Sequence, residues 1–417
     1  MSQNNNIPQI RFKGFNDVWE QCKLGDVVSL RGRIGFRGYT REDLVPAHEG
    51  AVTFSPSDID EEGHLSLENN DYISFEKYEE SPEIKVKVGD ILFTKTASIG
   101  KTAYVSELLE KSTINPQFAL LTPNEKINRY YLFLSLRLDN FMQKVWGITG
   151  GSSIPTMSQE KLKELYFDAP NLVEQEQISK LFMKLDNLIT LHQRKHEKYT
   201  NLKKALLEKM FPKNGEKIPQ IRFKGFTEAW EQCKYEELGI NHSGGSLSYD
   251  DLKDDGKNKC VLYGELYTRY DYIIKNVINQ TNEQGLTIYK NDILFPQSTT
   301  VDAYSLISPA CFNDEIAETS GVFVIRPYDF VNGNFIAYYT KGNSHQRLKL
   351  SKKAQGLTIV HLYYQSIKDE TIHVPNIDEQ NKIACLFIQL DNLITLHQRE
   401  YEKLKNIKKS LLEKMFV

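Results

Sequence analysis

A chain of 417 residues with 40% hydrophobic and 26% charged residues has the composition of a folded protein with more than one domain. No apolar run approaches the roughly 20 residues of a membrane span, and the polar N-terminus lacks a secretion signal. The five cysteines form no C-x-x-C pair, so a reducing, cytoplasmic setting is expected. Because the net charge is −3, a nucleic-acid site would have to be a local basic patch.

Two segments of the chain occur twice. Residues 7–23 (IPQIRFKGFNDVWEQCK) return at 218–234 with three of 17 positions changed, and residues 170–211 return at 375–416 with 28 of 42 identical. The inserts between them, 24–169 and 235–374, share only short echoes such as D-I-L-F at 90–93 and 292–295. This pattern is expected if a constant frame holds constant partners while each insert reads a different target.

The first domain is predicted to cover residues 1–169 as a mixed α/β unit, with strands near 90–94 and 118–122 and a helix over 128–146. Segment 29–41 (SLRGRIGFRGYTR) combines arginines with three glycines and no acid, a composition suited to contacts with phosphate or guanine. The polar loop 94–102 (TKTASIGKT) follows the D-I-L-F strand. The DNA-binding candidates in these two segments are Arg31, Arg33, Arg37, Arg41, Lys95 and Lys101.

A long helix is predicted over 170–211, followed by a linker at 212–217. Asn171 stands three residues before Glu174, as Asn376 does before Glu379, which is the spacing of a capping box. Leucines recur at steps of four and three, as in a coiled-coil seam. About 30 helical residues give a rod of about 45 Å, against about 34 Å for one turn of B-DNA. The seam and docking candidates are Leu181, Leu185, Leu188, Lys195, Leu202 and Leu206, with Leu386, Leu390, Leu393, Glu400, Ile407 and Leu411 in the second helix over 375–417.

Polar residues interrupt the middle of both seams. If the helices pack antiparallel, Lys195 faces Glu400 or His397, which would fix their register. No second ligand stands at metal-binding spacing from His192 or His397. We therefore interpret both histidines as solvated or seam residues.

The second domain is predicted to cover residues 218–374, again as a mixed α/β unit. A strand is expected at 322–326 and a helix over 332–350. The polar loop 296–300 (PQSTT) follows the second D-I-L-F strand, and the run 341–353 (KGNSHQRLKLSKK) is basic without an acid. The DNA-binding candidates here are Gln297, Ser298, Lys341, Arg347, Lys349, Lys352 and Lys353.

Three segments of the chain match catalytic motifs only in part. Gly100-Lys101-Thr102 ends like a phosphate-binding loop, but the required upstream glycine is Lys95. Asn115-Pro116-Gln117-Phe118 lacks the second proline of an amino-methyltransferase motif, and Glu83-x-Lys85 lacks the partnering acid of a nuclease. The sequence thus predicts no catalytic residue, no metal and no cofactor.

The duplicated frame is similar to that of the specificity (S) subunits of type I restriction–modification systems. The resemblance rests on the helix openings P-x-x-x-E-Q-x-x-I at 170–178 and 375–383 and on L-D-N-L-I-T-L-H-Q-R at 185–194 and 390–399, and it covers nearly the whole chain. Residues 89–101 and the turn Gly150–Pro155 also resemble first-domain features of the family, which adds Ser152 and Ser153 to the DNA-binding candidates. The second domain departs here, with Q-G-L-T-I at 355–359.

The resemblance implies a non-catalytic subunit whose two target recognition domains each read one half of a split, asymmetric site in double-stranded DNA. The helices would pack antiparallel, set the spacing and dock two modification (methyltransferase) subunits. Restriction (translocase–nuclease) subunits would complete the complex. The alternatives are a coiled-coil scaffold that binds only protein, and a self-sufficient DNA methyltransferase or nuclease.

Overall fold

The structure, a computed structural model, describes residues 7–33, 39–149, 155–213 and 216–417. The chain forms two compact units, unit 1 from residues 1–190 and 401–417 and unit 2 from residues 191–400. Both unit boundaries fall inside long helices, so each of these helices contributes residues to both units. The recognition-domain and helix boundaries given above are functional divisions and stay predictions.

The described residues of unit 1 form three groups of paired strands. The first sheet has the order β2-β9-β6-β7 and is antiparallel, the second has the order β3-β5-β4-β8 with β4 and β8 parallel, and β1 pairs with β10. The strands are β1 Glu20–Lys23, β2 Val28–Arg31, β3 Leu44–Val45, β4 Ala51–Phe54, β5 Asp71–Ile73, β6 Ile91–Thr94, β7 Thr102–Tyr104, β8 Ser112–Ile114, β9 Phe118–Pro123 and β10 Tyr166–Ala169. The helices are α1 Leu24–Val27, α2 Phe75–Glu79, α3 Arg129–Ser135, α4 Asp139–Ile148, α5 Gln159–Lys163 and the first half of α6 Leu172–Lys209.

The described part of unit 2 repeats this plan, with five strands instead of four in its first sheet. The orders of the two sheets are β12-β21-β17-β19-β14 and β15-β13-β20-β16, and the pairs β11-β23 and β18-β22 complete the unit. The strands are β11 Glu231–Lys234, β12 Gly239–Ser243, β13 Asn258–Leu262, β14 Ile273–Ile274, β15 Gln280–Thr281, β16 Leu286–Tyr289, β17 Ile293–Pro296, β18 Ser298–Thr299, β19 Ala310–Phe312, β20 Ile316–Ser320, β21 Val322–Pro327, β22 Val360–His361 and β23 Thr371–Val374. The helices are the second half of α6, α7 Glu265–Thr268, α8 Ala303–Leu306, α9 Gly333–Gly342, α10 Ser344–Ser351, α11 Tyr364–Ile367 and α12 Ile377–Met415, whose residues after Glu400 belong to unit 1.

The D-I-L-F strand lies inside each unit with both faces covered. Ile91 and Phe93 belong to one hydrophobic cluster and Leu92 to another, because alternate side chains of a strand point to opposite faces. Ile293 and Leu294 divide in the same way in unit 2. The three consecutive apolar residues of D-I-L-F thus lie in a buried strand in both copies.

The predicted helices over 128–146 and 332–350 are each two helices. In unit 1, α3 ends at Ser135 and α4 begins at Asp139. In unit 2, α9 ends at Gly342 and Asn343 has extended backbone, and its side chain accepts a hydrogen bond from the Gln346 amide as the N-cap of α10. The Asn343 N-cap competes with helix continuation in unit 2, whereas in unit 1 α4 begins after Leu138, which makes no side-chain cap.

The two long helices begin as predicted. The side-chain oxygen of Asn171 accepts from the Glu174 amide at 3.0 Å, and Asn376 does the same for Glu379 at 3.0 Å. In unit 1, residues of α6 from Ile178 to Leu185 pack against the last turns of α12, since Phe182 contacts Phe416. In unit 2, Tyr199 of α6 stacks on His397 of α12. Further along α6, Asp186 contacts Lys408 in unit 1 and Lys203 contacts Asp391 in unit 2, so later residues of α6 meet earlier residues of α12. Within each unit the two helices therefore run antiparallel, and the predicted mixed α/β class is confirmed.

The seam is shifted by one residue from part of the predicted pattern. Leu185 and Leu390 are buried, but Leu188 and Leu202 are 43% and 41% exposed. Ile189 and Lys203 occupy the seam in their place, each nine-tenths or more buried. A pattern of apolar residues does not mark this line of seam positions, because Lys203 occupies one of them.

Candidate nucleic-acid interface

The repeated frame is held to the long helices by one buried ion pair in each unit. Arg11 donates through Nε and Nη2 to the two oxygens of Glu174 at 2.7 and 2.8 Å, and Arg222 donates to Glu379 at 2.6 and 2.7 Å. Both glutamates are at most 1% exposed. The glutamate of the E-Q opening therefore binds the frame arginine instead of closing a capping box.

The glutamine of the E-Q opening ties the long helix to the variable domain. Gln175 accepts from the Asn128 amide at 2.8 Å and donates to the Pro170 carbonyl at 2.7 Å. Gln380 accepts from the Asn332 amide at 2.9 Å and donates to the Pro375 carbonyl at 2.8 Å. These amides stand where α3 and α9 begin, so the glutamine fixes that helix relative to the long helix.

The aspartate of the repeated L-D-N motif joins three elements of each unit. In unit 2, Lys203 of α6 contacts Asp391 of α12 at 2.5 Å, and the Tyr338 hydroxyl of α9 donates to Asp391 at 2.6 Å. In unit 1, Lys408 contacts Asp186 at 2.5 Å. The Tyr130 hydroxyl also donates to Asp186. In the sequence, the only sign of these two contact networks is that the same aspartate occurs in both copies of the L-D-N motif.

This frame positions equivalent loops after the D-I-L-F strands. In unit 1 the Lys95 amide donates to the Gln117 carbonyl at 2.8 Å, and the Lys95 carbonyl accepts from the Met157 amide at 2.9 Å. In unit 2 the Gln297 amide donates to the Gly321 carbonyl at 3.1 Å, and its carbonyl accepts from the Leu362 amide at 2.9 Å. Lys95 and Gln297 thus hold the same backbone position with different side chains.

The loop of Lys95 brings together several predicted segments of unit 1. The Ala97 amide donates to the Pro155 carbonyl at 3.1 Å, which places the loop against the end of the predicted 150–155 turn. A Cβ on Gly32 would lie 3.5 Å from Lys95 Nζ, so segment 29–41 also approaches the loop. Ala97 has φ +61°, a left-handed conformation that L-residues adopt at a cost in energy. The loop is thus held in one defined shape.

Lys95 is half-buried, and burial lowers the pKa of its ammonium. No carboxylate lies within ion-pair distance of Lys95 among the residues that the structure describes. Lys101 instead donates to the Pro56 carbonyl at 2.8 Å. A partly desolvated cation without an acid is suited to a phosphate or a base edge.

The predicted arginines of unit 1 take different positions. Arg31 donates to the Thr122 hydroxyl at 2.6 Å, and Thr122 donates in turn to Asp90 at 2.6 Å, so Arg31 belongs to an internal polar group. Arg33 donates to the Ile114 carbonyl and lies 4.8 Å from the Tyr39 ring centroid. Arg41 is exposed at the start of a short 3-10 turn. Arg37, Ser152 and Ser153 lie outside the described residues.

In unit 2 the loop of Gln297 pairs with a hairpin that carries the Q-G-L-T-I segment. Ser298 pairs with His361 between β18 and β22, and reciprocal backbone hydrogen bonds of 2.9 and 2.7 Å join Gln355 to His361. Gly356 at φ +116° lets the chain turn here. Leu357 is fully exposed at the tip of this hairpin. Sequence reasoning missed this pairing because β18 and β22 are only two residues long.

The basic run 341–353 does not form one patch. Lys341 contacts Asp271 at 2.8 Å, and burial lowers its pKa more than Asp271 raises it. Arg347 donates to the Tyr304 carbonyl at 3.0 Å and lies over the Tyr304 ring. Lys349 and Lys353 instead contact Glu370 at 3.3 and 2.6 Å, and Lys352 is exposed beside them. These side chains come from α9, from α10 and from the residues after α10, so they face different neighbours.

No helix of the described chain is both long enough and apolar enough to cross a membrane. The fold is thus a duplicated α/β protein in which a constant frame presents one variable loop region per unit. Comparison with known sequences assigns the family. Residues 16–201 and 227–406 each match the family described as "Type I restriction modification DNA specificity domain". Since both matches together cover most of the chain, it belongs to this family and carries two specificity domains in tandem.

Relatives in Methanocaldococcus jannaschii agree with this assignment. The MjaX relative, which its name places among type I restriction enzyme specificity subunits, is 26% identical over 412 residues, covering 94% of this chain and 92% of its own length. The type I restriction enzyme MjaVIII specificity subunit is 24% identical over 350 residues, or 79% of each chain. The chain is a specificity subunit of a type I restriction–modification system.

A solved structure shares the fold. The S subunit of a type I restriction–modification system from M. genitalium aligns over 99% of both chains with a TM-score of 0.56 at 14% sequence identity. At this identity the likeness concerns the fold alone. It agrees with the duplicated arrangement described above.

Proposed function

We propose that each unit reads one half of a bipartite, asymmetric site in double-stranded DNA, and that the loop regions around Lys95 and Gln297 make the reading contacts. The observation that carries this proposal is the equivalence of their backbones. The same hydrogen bonds hold both loops, yet one presents a half-buried cation and the other an amide. Lysine grips phosphate or guanine and glutamine reads adenine, so the two loops favour different sequences.

The long helices supply the constant part of the function. The polar side chains Glu174, Gln175 and Asp186 of α6 make their contacts within unit 1, and the equivalent side chains of α12 make theirs within unit 2. Apolar side chains on the outer faces remain more than a third exposed, as at a surface that binds another protein. We infer that modification (methyltransferase) subunits dock on them and that restriction subunits join these. The exposed side chains are Leu172, Val173, Met183, Leu188 and Ile407 in unit 1, and Leu191, Leu202 and Leu396 in unit 2.

The chemistry on DNA would then belong to the partner subunits. Loop 94–102 contains the titratable residues Lys95 and Lys101, and His361 pairs with Ser298 of loop 296–300. Neither loop contains the paired carboxylates or cysteines of a nuclease or a zinc site. The chain alone is expected neither to methylate nor to cleave DNA. A purified chain that modified DNA without partners would contradict this part of the proposal.

Selection of DNA from a randomised pool by the assembled complex tests the reading function. Lys95→Ala should change base preference or affinity in one half-site only, and Gln297→Ala in the other half only. Lys126→Ala is the matched control, because Lys126 is an exposed lysine beyond the opposite end of β9. A complex without sequence preference would instead favour a scaffold that binds only protein.

Co-purification with the modification subunit tests the docking surface separately. Leu188→Asp and Leu202→Asp should each reduce recovery of the partner while the variant keeps its melting temperature. Val18→Asp, at an apolar residue of the frame that is 61% exposed, is the control. Normal recovery with both helix variants would remove these residues from the interface.

A further inference from the structure

Unit 2 contains a basic cavity at the N-terminus of α10, away from the Gln297 loop. Its volume is about 340 Å³, within the size range of small-ligand sites. Three lysines and two histidines line it, and none of its lining residues is an acid. The lysines and histidines are Lys213, Lys349 and Lys352 with His345 and His373, and Asn343 also lines this basic cavity.

Asn343 supplies an unused donor in the wall of the basic cavity. It is 1% exposed, and its Oδ1 accepts from the Gln346 amide at 3.0 Å. Its Nδ2 is buried and has no acceptor among the described residues. A buried amide N–H without a partner costs free energy unless a ligand accepts from it.

The charge around the cavity is positive. Lys349 is anchored to the Thr371 carbonyl at 2.7 Å, while no described residue forms an ion pair with Lys352. Burial lowers the pKa of His373, and the nearby Lys349 and Lys217 lower it further. Two acids lie just outside the lining, Glu370 paired with Lys349 and Lys353, and Glu208 bonded to Ser344. The open side of the cavity therefore favours an anion.

Unit 1 provides an internal comparison. Lys144 donates to the Tyr166 carbonyl at 2.9 Å as Lys349 does to Thr371, and Asp168 pairs with Gln21 as His373 pairs with Gln232. The corresponding crevice of unit 1 has a volume of only about 10 Å³. Phe141 is buried there and an aspartate stands in place of His373. Unit 2 has thus become open and basic where unit 1 is filled and carries an acid.

We infer that the basic cavity of unit 2 binds an anion through a phosphate group. Lys352 would attract the charge, and Asn343 Nδ2 would donate to a phosphate oxygen. The phosphate could come from a small polyphosphate or from a DNA backbone. The inference does not depend on which bases the two units read.

Calorimetric titration of the full chain with pyrophosphate tests the inference. The wild type should bind one equivalent saturably, and Lys352→Glu and His373→Asp should each weaken binding about tenfold or more, because each substitution places a negative charge beside the bound anion. His373→Asp installs the residue that unit 1 carries at this position, so the fold should tolerate it. Lys257→Glu, the same charge reversal at an exposed lysine outside the cavity, should change affinity less than about twofold.

A second titration with saturating duplex DNA distinguishes the two sources of phosphate. Loss of pyrophosphate binding would identify the DNA backbone as the occupant, and unchanged binding would identify a small anion. Absence of saturable binding in the wild type, or equal weakening by Lys257→Glu, would overturn the inference. Because DNA selection by the complex is measured independently, that failure would leave the reading function untouched.

Discussion

Lys95 of unit 1 and Gln297 of unit 2 occupy the same backbone position, each accepting at its carbonyl from an amide 2.9 Å away, Met157 in one unit and Leu362 in the other. The frame that holds both positions is nearly identical in sequence, whereas the side chains that it presents differ. In such an arrangement the frame determines where each loop lies, and the loop side chains determine what it binds. Recognition can then change by substitution in a loop without disturbing the frame.

The charge of Lys95 predicts a salt effect on DNA binding. Lys95→Ala in the assembled complex should weaken binding and reduce the slope of log K against log salt by about one, if its ammonium neutralises a phosphate. Filter binding over a range of salt concentrations measures this slope. Lys126→Ala should leave the slope as in the wild type, and an unchanged slope for Lys95→Ala would assign Lys95 to a base or to no DNA contact.

The buried pair Arg11–Glu174 predicts a local loss of stability. Arg11→Met leaves the 1% exposed Glu174 without its partner, which should cost about 3–5 kcal/mol. Hydrogen exchange should then rise in peptides of unit 1, and Arg222→Met should produce the same effect in unit 2. Glu176→Gln, which breaks the exposed pair with Lys180, should cost less than about 0.5 kcal/mol. Equal effects of the buried and exposed variants would contradict this interpretation.

The seam pair Lys203–Asp391 predicts non-additive substitutions. Asp391→Leu should destabilise unit 2 strongly, because Lys203 is only 9% exposed and loses the nearer of its two acids. The other acid, Asp271, lies 3.5 Å from Lys203 Nζ. Adding Lys203→Met should recover a large part of the loss, about 1–3 kcal/mol of coupling. Urea titration of the four proteins in this cycle gives the coupling. Additive losses would show that the two side chains do not interact.

The pair His192–His397 predicts a loss of stability in acid. The two Nδ1 atoms are 3.1 Å apart, and His397 also stacks on Tyr199. Burial lowers the pKa of His397, and His192, Lys195 and His196 lower it further. Because the folded pKa lies below the unfolded value of about 6.5, protonation favours unfolding. This contribution to stability is complete above about pH 6.5 and is lost as the pH falls through the folded pKa.

Melting temperatures recorded from about pH 8 to about pH 5.5 test this prediction. His397→Leu, which keeps the seam position apolar, should show a smaller loss over this range than the wild type. An identical pH dependence in both proteins would contradict it. The hypothesis that Lys195 faces His397 agrees with the influence of Lys195 on this pKa.

The repeats allowed most of the frame to be predicted. The long helices, their asparagine caps and the D-I-L-F strands follow from local pattern, and the structure confirms them. The seam was only partly predicted, since Lys203 and Lys408 lie in it through pairing with aspartates that are distant in sequence. Side chains whose burial depends on such partners cannot be identified from apolar periodicity.

The loop contacts were less accessible to prediction. Composition drew attention to the 29–41 and 341–353 runs, yet Arg31 is engaged with Thr122 and Lys341 with Asp271. A basic run shows where positive charge lies along the chain, but it does not show which way each side chain faces. Within α10, helix geometry turns successive side chains in different directions. The equivalence of Lys95 and Gln297 required tertiary hydrogen bonds that no spacing in the sequence encodes.

Exchange of one variable insert tests the central claim most directly. Residues 24–168 would be replaced by the corresponding insert of another specificity subunit, and methylated bases would be mapped by sequencing in cells that supply the modification subunits. We expect one half of the bipartite methylated site to change while the other half and the spacing stay as in the wild type. A site that changed in both halves, or in neither, would contradict the account.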